Sequence, residues 1–278
     1  MGFSRGSLTL PRMNAHRLVI IAAAFTIAVA AALATALVTF SSQALPRAVR
    51  HDLSRATGTS FVINGNVNAS QGADAVIHLA GIPGEASLER ICELNIGGSY
   101  VAFEAARRAG TPRVIFASSN HAVGFTPRSD FPVPDYAFPK PDTYYGVSKA
   151  AIEALAAMYH ERYGMDAICL RILSCFPKPL NVRMLSSWLS PGDAGRLFEA
   201  CLTAERPGFR VAFGVSANTR GGWVSLAEAE ALGYQPEDDA EAYAAEIIAE
   251  HGQPDPDDPV LRRLGGEFTL PYDQIPHR

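Results

Sequence analysis

Length, composition and charge place the chain among globular proteins with one large core. It has 278 residues, of which 48% are hydrophobic and 19% are charged, which excludes a disordered chain. The formal net charge of −4 gives no general attraction to nucleic acid, so we expect no nucleic-acid partner. The four cysteines show no C-x-x-C pairing and no histidine at metal-ligand spacing, which predicts free thiols in a reducing compartment and no metal site.

Residues 18–40 form an apolar stretch without one charged side chain, and three interpretations compete for it. As a membrane helix or uncleaved signal, it is long enough to span a bilayer and follows several arginines. As a diverged first strand and helix of a nucleotide-binding sheet, it would complete the fold predicted below. Alternatively, the first sixty residues are not the natural start of that fold. We favour the last two interpretations, because the predicted sheet needs chain for its first strands.

From residue 73 onward, strand-like and helix-like segments alternate. Short apolar runs typical of buried strands are followed by long stretches with helical spacing, and two of these stretches end at Gly110 and Gly164. The predicted order is strand 73–81, helix 87–110, strand 111–120, helix 143–164 and strand 165–176. This β-α-β-α-β order predicts a parallel sheet with helices on both faces.

Residues 177–278 are less regular than the segment before them. They contain many prolines and glycines, a short predicted helix at 225–233 and a longer one at 240–252. We expect them to form a cap at the carboxyl edge of the sheet, where such sheets bind ligands. The predicted fold is therefore α/β: a Rossmann-like, doubly wound parallel sheet in residues 45–176, with a small C-terminal substrate-binding cap and tail in 177–278, preceded by the atypical segment 1–44.

Tyr145 and Lys149 carry the strongest chemical signal in the sequence. They lie four residues apart at the start of the predicted helix 143–164, so both side chains face the same side. A free tyrosine has a pKa of about 10, and a nearby ammonium favours the phenolate, which is the tuning that a general acid/base needs. Ser118 and Ser119 end the preceding strand. Their hydroxyls are placed to hydrogen-bond the substrate oxygen whose proton Tyr145 would transfer. The pattern predicts proton transfer at this position.

Taken together, these motifs resemble a known family. The chain is similar to the extended short-chain dehydrogenases/reductases, also called the NAD-dependent epimerase/dehydratase family, and within it to the uronate dehydrogenases. The Y-x-x-x-K pattern is family-wide, whereas SSNH, SCFP and RMLSxWLS together are specific to the uronate branch. The resemblance covers residues 73–270 and rests on HLAGI (78–82), LNIGGSY (94–100), FASSNHAVGF (116–125), YYGVSK (144–149) with Glu153, LRILSCFPKP (170–179), RMLSSWLSP (183–191) and GVSANTRGGW (214–223).

The resemblance implies NAD as cofactor and a sugar acid as substrate, oxidised at C1 of galacturonate or glucuronate to the lactone. Tyr145 would be the catalytic base, and Lys149 would lower its pKa and hold the nicotinamide ribose. Arg183 would pair with the carboxylate of the substrate, which an arginine fork fits in bidentate fashion. The implied catalytic residues are Ser119, Tyr145, Lys149 and Asn95. The implied cofactor contacts are Leu79, Ala80, Gly81, Tyr145 and Lys149, and the implied substrate contacts are Ser119, Asn120, His121, Ser174 and Arg183.

Three departures from the family pattern stand out. Pro83 stands where the uronate branch has a serine that contacts the sugar, so a related sugar acid or an aldose becomes an alternative substrate. The family's G-x-x-G-x-x-G turn binds the pyrophosphate, but its glycine positions here fall on Ala22, Phe25 and Ala28. The aspartate that the family has after its third strand is Asn66.

These departures leave alternatives to a sugar-acid dehydrogenase. One is a nucleotide-sugar epimerase or dehydratase of the same family, and another is a pseudoenzyme that keeps the substrate pocket but cannot hold NAD. We expect a cytoplasmic protein, because NAD is scarce outside the cytoplasm, with a membrane anchor through residues 18–40 as the alternative. The resemblance also implies a homo-oligomer built through the helices 87–110 and 143–164. We expect Cys92, Cys169 and Cys201 in the core, and Cys175 beside the site without a base.

Overall fold

In the part of the chain that the structure describes, the centre is a five-stranded parallel sheet. The computed structural model describes residues 74–255 and 257–275, together with the backbone of residues 18–21. Its strands are β1 (Leu18–Ile21), β2 (Ala75–His78), β3 (Arg113–Ser119), β4 (Asp166–Ile172), β5 (Ser174–Cys175), β6 (Trp188–Leu189) and β7 (Phe209–Gly214). The main sheet has the order β1-β2-β3-β4-β7 with every neighbouring pair parallel, while β5 and β6 form a separate pair. All five main strands therefore end at the same edge.

The apolar stretch at residues 18–40 begins as a strand of this sheet. β1 pairs in parallel with β2, with Leu18 opposite Ala75 and Ile21 opposite His78. The first four residues of the stretch are thus sheet backbone, as expected for the first strand of a nucleotide-binding fold. Residues 22–40 lie outside the described residues. Of the helices that the structure does describe, none is both long enough and apolar enough to cross a bilayer.

Helices and short helical turns connect the strands. The helices are α1 (Leu88–Arg90), α2 (Gly98–Ala109), α3 (Tyr144–Tyr163), α4 (Met184–Ser187), α5 (Pro191–Thr203), α6 (Ala227–Ala231) and α7 (Ala244–His251). A π-helical segment, Ile91–Gly97, joins α1 to α2. Shorter 3-10 turns are Asn120–Val123, Arg128–Asp130, Ala240–Tyr243, Pro259–Leu261, Gly266–Thr269 and Tyr272–Gln274. The predicted helix 87–110 is therefore one helical run with a π-helical interior.

Local sequence rules account for the limits of α3. The Thr143 hydroxyl accepts a hydrogen bond from the backbone N–H of Gly146, which caps the first turn. Gly164 ends the helix with a φ of 67°, a left-handed conformation that favours glycine. Gly110 ends α2 in the same way, with a φ of 72°. Both glycine caps confirm the predicted helix ends.

Apolar side chains cover both faces of the sheet, because successive residues of a strand point to opposite sides. One face carries Val76, Val114 and Phe116 of the strands under Phe103 of α2 and Tyr159 of α3. The opposite face carries Ile77, Ile115 and Ile168 under Leu197 and Phe198 of α5. Helices therefore lie on both sides of the sheet, as the predicted doubly wound architecture requires.

Two elements of the C-terminal part were not predicted. β7 pairs with β4, so the sheet continues beyond the predicted boundary at residue 177. α5 begins at Pro191, after Ser190 accepts a hydrogen bond from the backbone N–H of Asp193. Prolines and glycines flank or enter both segments and weaken their periodic signal. The predicted strand 165–176 is also interrupted at Leu173, which separates β4 from β5.

The last part of the chain folds back onto the carboxyl edge of the sheet. Leu261 and Leu264 are buried in a cluster with Phe213, at the end of β7, and with Trp223. A second cluster, between α4 and α7, holds Met184, Leu185, Trp188, Ala244 and Ile247. These two clusters fix the segment 264–268 and the start of α4 beside the ends of β3 and β4.

Candidate active site

The predicted acid/base pair lies at the carboxyl edge of the sheet. Tyr145 and Lys149 are both buried in the first turns of α3. The Lys149 ammonium lies 5.3 Å from the centre of the Tyr145 ring and donates a hydrogen bond of 2.7 Å to the carbonyl oxygen of Ala117 in β3. This bond holds the ammonium beside the phenol, so the structure brings the predicted pair together.

Burial controls the protonation of both groups. It raises the pKa of Tyr145 to about 12, a hydrogen bond with Ser119 opposes the rise, and the negative charge of Asp142 adds to it. Burial also lowers the pKa of Lys149 to about 8. The loss of water around the phenol sets the direction of the shift in the protein alone, and the expected lowering of this pKa by Lys149 stays a prediction.

Ser119 is the last residue of β3 and connects the strand to the next turn. Its hydroxyl accepts from the backbone N–H of His121 at 3.3 Å and hydrogen-bonds with Tyr145, which lowers the tyrosine pKa. Its neighbour Ser118 points elsewhere and donates to the Glu153 carboxylate at 2.6 Å. The two serines alternate across the strand, and only Ser119 reaches the phenol.

Asn95 supports the site from below. Its amide oxygen accepts from the backbone N–H of Ile82 at 2.7 Å, and its amide nitrogen donates to the Ile82 carbonyl and to the Ser148 hydroxyl at 3.2 and 3.1 Å. Ser148 precedes Lys149, so Asn95 ties the loop after β2 to the catalytic helix. These contacts suit a residue that positions its neighbours, and the implied catalytic role of Asn95 stays a prediction.

Three of the predicted substrate residues converge on the C-terminal segment and on one another. The carbonyl oxygen of Leu264 accepts from Asn120 at 3.1 Å and from Arg183 at 2.5 Å. Arg183 also donates to the Ser174 hydroxyl at 3.1 Å. Its Nε is buried and makes no hydrogen bond to the described residues, and burial lowers the pKa of Arg183 to about 10. A guanidinium that is partly buried among predicted substrate residues is suited to an anionic ligand.

His121 lies between the phenol and the same C-terminal segment. The centre of its ring is 5.7 Å from that of Tyr145 and 4.3 Å from that of Phe268. Its Nδ1 is 2.7 Å from a carboxylate oxygen of Asp142. The structure thus brings together Ser119, Asn120, His121, Tyr145 and Lys149, and it joins Ser174 and Arg183 to them through Asn120 and Leu264.

Sequence reasoning missed Glu85, and it missed the partner of Glu153, which it noted only as part of the YYGVSK motif. The Glu85 carboxylate accepts from the backbone N–H groups of Tyr144 and Tyr145 at 3.3 and 3.0 Å and so holds the start of α3. Glu153 and Arg171 form a buried ion pair of 2.7 Å behind Lys149. The available sequence signals were Glu85, two residues before the predicted helix 87–110, and Glu153, one helical turn after Lys149. Neither position identifies the group that the carboxylate binds.

Comparisons with known proteins identify the family. A model of the NAD dependent epimerase/dehydratase family matches residues 17–183. The chain belongs to this family. It is similar to uronate dehydrogenase of Agrobacterium fabrum, to which it is 43% identical over 198 residues that cover 71% of this chain and 74% of the relative. It is also similar to an NAD-dependent glucose-6-phosphate dehydrogenase of Haloferax volcanii, 36% identical over 64% of this chain and 74% of the relative.

Solved structures of family members have the same fold. A crystal structure of uronate dehydrogenase from Agrobacterium tumefaciens is 41% identical, covers 72% of this chain and 75% of that chain, and superposes with a TM-score of 0.67. A glucuronic acid dehydrogenase from Chromohalobacter salexigens is 31% identical, covers 92% of this chain and 97% of that chain, and gives a TM-score of 0.73. The fold and the membership of an NAD-dependent family are thereby confirmed.

The described residues fit the nicotinamide end of NAD. Gly81, just after β2, has a φ of 149°, and a Cβ atom added there would lie 3.0 Å from the amide oxygen of Asn95, so the backbone stays bare at this point. Leu79 and Ala80 precede it at the same edge. The ammonium of Lys149 has three donors, of which the Ala117 carbonyl takes one, so it can also hold ribose hydroxyls. Ala22, Phe25, Ala28 and Asn66 lie outside the described residues.

The cysteines carry no chemistry at the site. Cys175 is buried, and burial raises the pKa of its thiol to about 12, so it is a neutral thiol at physiological pH. Cys169 and Cys201 are core residues as expected, whereas Cys92 is exposed, because it faces outward from the π-helical segment. Within the described part of the chain, no group of three His, Cys, Asp or Glu side chains is placed to bind a metal ion.

Proposed function

We propose that this family member is an NAD-dependent dehydrogenase that oxidises the C1 hydroxyl of a sugar acid to the lactone. The observation that carries the proposal is the partly buried Arg183 guanidinium, whose Nη1 donates to the Ser174 hydroxyl at 3.1 Å. A carboxylate is the ligand that such a fork binds best. The similarity to enzymes named uronate dehydrogenase supports this choice of substrate.

The side chains at the edge of the sheet supply the proton chemistry. Tyr145 takes the proton of the C1 hydroxyl while Ser119, which hydrogen-bonds with the phenol, orients that hydroxyl. Tyr145 accepts this proton as a phenolate, and the ammonium of Lys149, 5.3 Å from the ring centre, stabilises the negative charge of that phenolate. When bound, NAD supplies the hydride acceptor.

The substrate residues hold the sugar in register with the tyrosine. Arg183 and Ser174 bind the carboxylate, and Asn120 and His121 bind ring hydroxyls. Placing the C1 hydroxyl at Tyr145 in this way removes the entropic cost of bringing the reacting groups together. Asn95 and Glu85 keep the loop after β2 and the first turn of α3 in place through their backbone contacts.

The experiment that tests the proposal is NADH formation by the full-length protein with a panel of sugars. Galacturonate and glucuronate are compared with galactose and glucose, which lack the carboxylate, and with glucose 6-phosphate and L-arabinose, because two relatives are named for those substrates. We expect the uronates to be oxidised at least 100-fold more efficiently than the neutral hexoses, as loss of a charged hydrogen-bonded pair costs about 3 kcal/mol. Equal or better turnover of a neutral or phosphorylated sugar would overturn the sugar-acid proposal.

Two further measurements on the full-length protein distinguish the dehydrogenase from a pseudoenzyme and from an epimerase or dehydratase. Titration with NAD, followed by calorimetry, is expected to give binding in the micromolar range. Absence of NAD binding by a folded, monodisperse protein would favour the pseudoenzyme. Conversion of a nucleotide sugar without net NADH formation would favour an epimerase or dehydratase of this family.

We further propose a homo-oligomer and a cytoplasmic location. Apolar side chains lie exposed along α2 and α3, at Tyr100, Val101, Val147, Met158 and Tyr163. A second copy of these helices would cover them, and sedimentation of the full chain measures whether a dimer forms. The proposed location follows from the need for NAD, and fractionation of expressing cells tests it.

A further inference from the structure

The side chain of Asp142 is fully buried beside the candidate active site, although the proposed reaction does not use it. It precedes Thr143, the residue that caps α3. One carboxylate oxygen lies 2.7 Å from Nδ1 of His121, and the other accepts a hydrogen bond of 3.0 Å from the Thr143 hydroxyl. Both oxygens therefore have a partner, and one of these partners is a predicted substrate residue.

Glycines from separate segments leave room for this carboxylate. A Cβ atom on Gly124 would lie 1.8 Å from Oδ2 of Asp142, and one on Gly265 would lie 2.0 Å from the same oxygen. Gly124 has a φ of −61° and Gly265 a φ of −76°, conformations that any residue adopts. Since the backbone does not require glycine at these positions, the requirement is space for Asp142.

A third glycine completes the enclosure from the helix. A Cβ atom on Gly146 would lie 2.4 Å from the carbonyl oxygen of His121 and 3.1 Å from Oδ1 of Asp142. Three segments thus approach closely enough to enclose the carboxylate and hold it against the histidine. A contact that forms incidentally on a surface would not need this arrangement.

We propose that Asp142 is a positioning residue that fixes His121 in the Nδ1–H tautomer, so that Nε2 is a hydrogen-bond acceptor for a substrate hydroxyl. An ionised carboxylate has no proton to donate, so the proton between the two groups belongs to Nδ1. The rings of Tyr145 and Phe268, on either side of His121, restrict its rotation. The role of Nε2 toward the sugar rests on the proposed function, whereas the tautomer does not.

The tautomer can be measured directly. Long-range proton–nitrogen correlation spectra of full-length, ¹⁵N-labelled protein distinguish Nδ1–H from Nε2–H rings, and His121→Gln assigns the signal. We expect the Nδ1–H pattern in the wild type. In Asp142→Asn, the amide can donate to Nδ1, so we expect the Nε2–H form to appear. Asp135→Asn, at a buried aspartate without contact to His121, is the matched control and should leave the signal unchanged.

Kinetics with the best substrate of the panel test the consequence for binding. We expect Asp142→Asn to raise KM for the sugar about 10-fold, the effect of one hydrogen bond to a charged or oriented group, while kcat changes less than about 3-fold. The dissociation constant of NAD should not change. In the His121→Gln background, Asp142→Asn should add nothing, because Asp142 acts through His121.

The outcomes separate this proposal from the proposed function. An Nε2–H ring in the wild type would overturn the proposal without any variant of Asp142, and so would an additive effect in the double variant. An Nδ1–H ring that changes in Asp142→Asn, in a protein that oxidises no sugar acid, would support the assignment of Asp142 and overturn only the proposed substrate.

Discussion

The two halves of the candidate site are assembled from the chain in different ways. The catalytic half, with Ser119, Tyr145 and Lys149, comes from the end of β3 and the first turns of α3. The substrate half is held together by the Leu264 carbonyl, which accepts hydrogen bonds from both Asn120 and Arg183. Leu264 lies 144 residues after Asn120 and 81 residues after Arg183 in the sequence. In the proposed reaction, neighbouring segments therefore supply the acid/base groups, whereas remote segments hold the sugar. Variants of the two halves should accordingly separate effects on kcat from effects on KM.

The largest effect is expected in the catalytic half. Tyr145→Phe removes the proton acceptor and should lower kcat by about 10²- to 10⁴-fold, the usual contribution of a general acid/base. The ring still fills its buried position, so the melting temperature and the dissociation constant of NAD should change little. Single-turnover and calorimetric measurements check both, and a variant that keeps more than a tenth of wild-type kcat would remove Tyr145 from the mechanism.

Arg183 tests the substrate half. Arg183→Lys keeps the charge but loses the planar fork, and we expect KM for a uronate to rise about 10- to 100-fold with a much smaller change in kcat. Arg220→Lys, at an arginine paired with Glu241 away from the site, is the matched control. Steady-state kinetics at saturating NAD give the two constants. A fall in kcat alone would place Arg183 on the catalytic side of the comparison.

The protonation of His78, a buried residue near Lys149, tests how well water is excluded from the catalytic half. Burial, and then the charge of Lys149, lower the pKa of His78 from 6.5 to about 3. Between these values the unfolded chain binds a proton and the folded chain does not, so stability falls as pH falls, by about 2 kcal/mol at pH 5. His78→Leu should lose this part of the acid sensitivity, and His251→Leu, at a partly exposed histidine, should retain it.

Urea unfolding at pH 7 and pH 5 measures the difference for each variant. The free energy of unfolding of His78→Leu should depend less on pH than that of the wild type over this interval. Equal dependence in all three proteins would show that His78 is accessible to protons in the folded state.

Gly266 gives the smallest expected effect and the most local one. It has a φ of 63°, and an added Cβ would lie 2.6 Å from Nε of Arg183. Gly110 has a φ of 72° with nothing within 4 Å of its added Cβ. Gly266→Ala and Gly110→Ala should therefore share a backbone strain of about 1–2 kcal/mol, but only Gly266→Ala should raise KM for the sugar, by roughly 5- to 10-fold. Similar KM values in both variants would show that the C-terminal segment at Gly266 does not affect substrate binding.

The same division explains what the sequence could predict. The parallel order of β2, β3 and β4, the glycine ends of α2 and α3, and the facing pair Tyr145 and Lys149 follow from local periodicity and spacing. β7 and α5 were not predicted because prolines and glycines obscure the periodic pattern of their sequences. β7 is a strand because it pairs with β4, a contact that its own sequence does not show. Burial of the phenol, which raises its pKa, depends on the assembled core and has no local signature.

The substrate half shows where such reasoning ends. Arg183 and His121 were identified through their motifs, but a backbone carbonyl such as that of Leu264 has no residue type to recognise. Asp142 stands in PDTYYG, where it is easily read as a residue of the helix start. Its link to Gly124 and Gly265 becomes visible only when three separate segments meet in space.

The dependence on Leu264 also sets an order of events during synthesis. The residues of the catalytic half have all been translated once Lys149 is added, whereas Asn120 and Arg183 wait for a carbonyl partner more than a hundred residues later than Lys149. At about 5–20 residues per second, this interval is roughly 6–23 s. A nascent chain can thus have its acid/base pair complete while its sugar pocket is still open on one side.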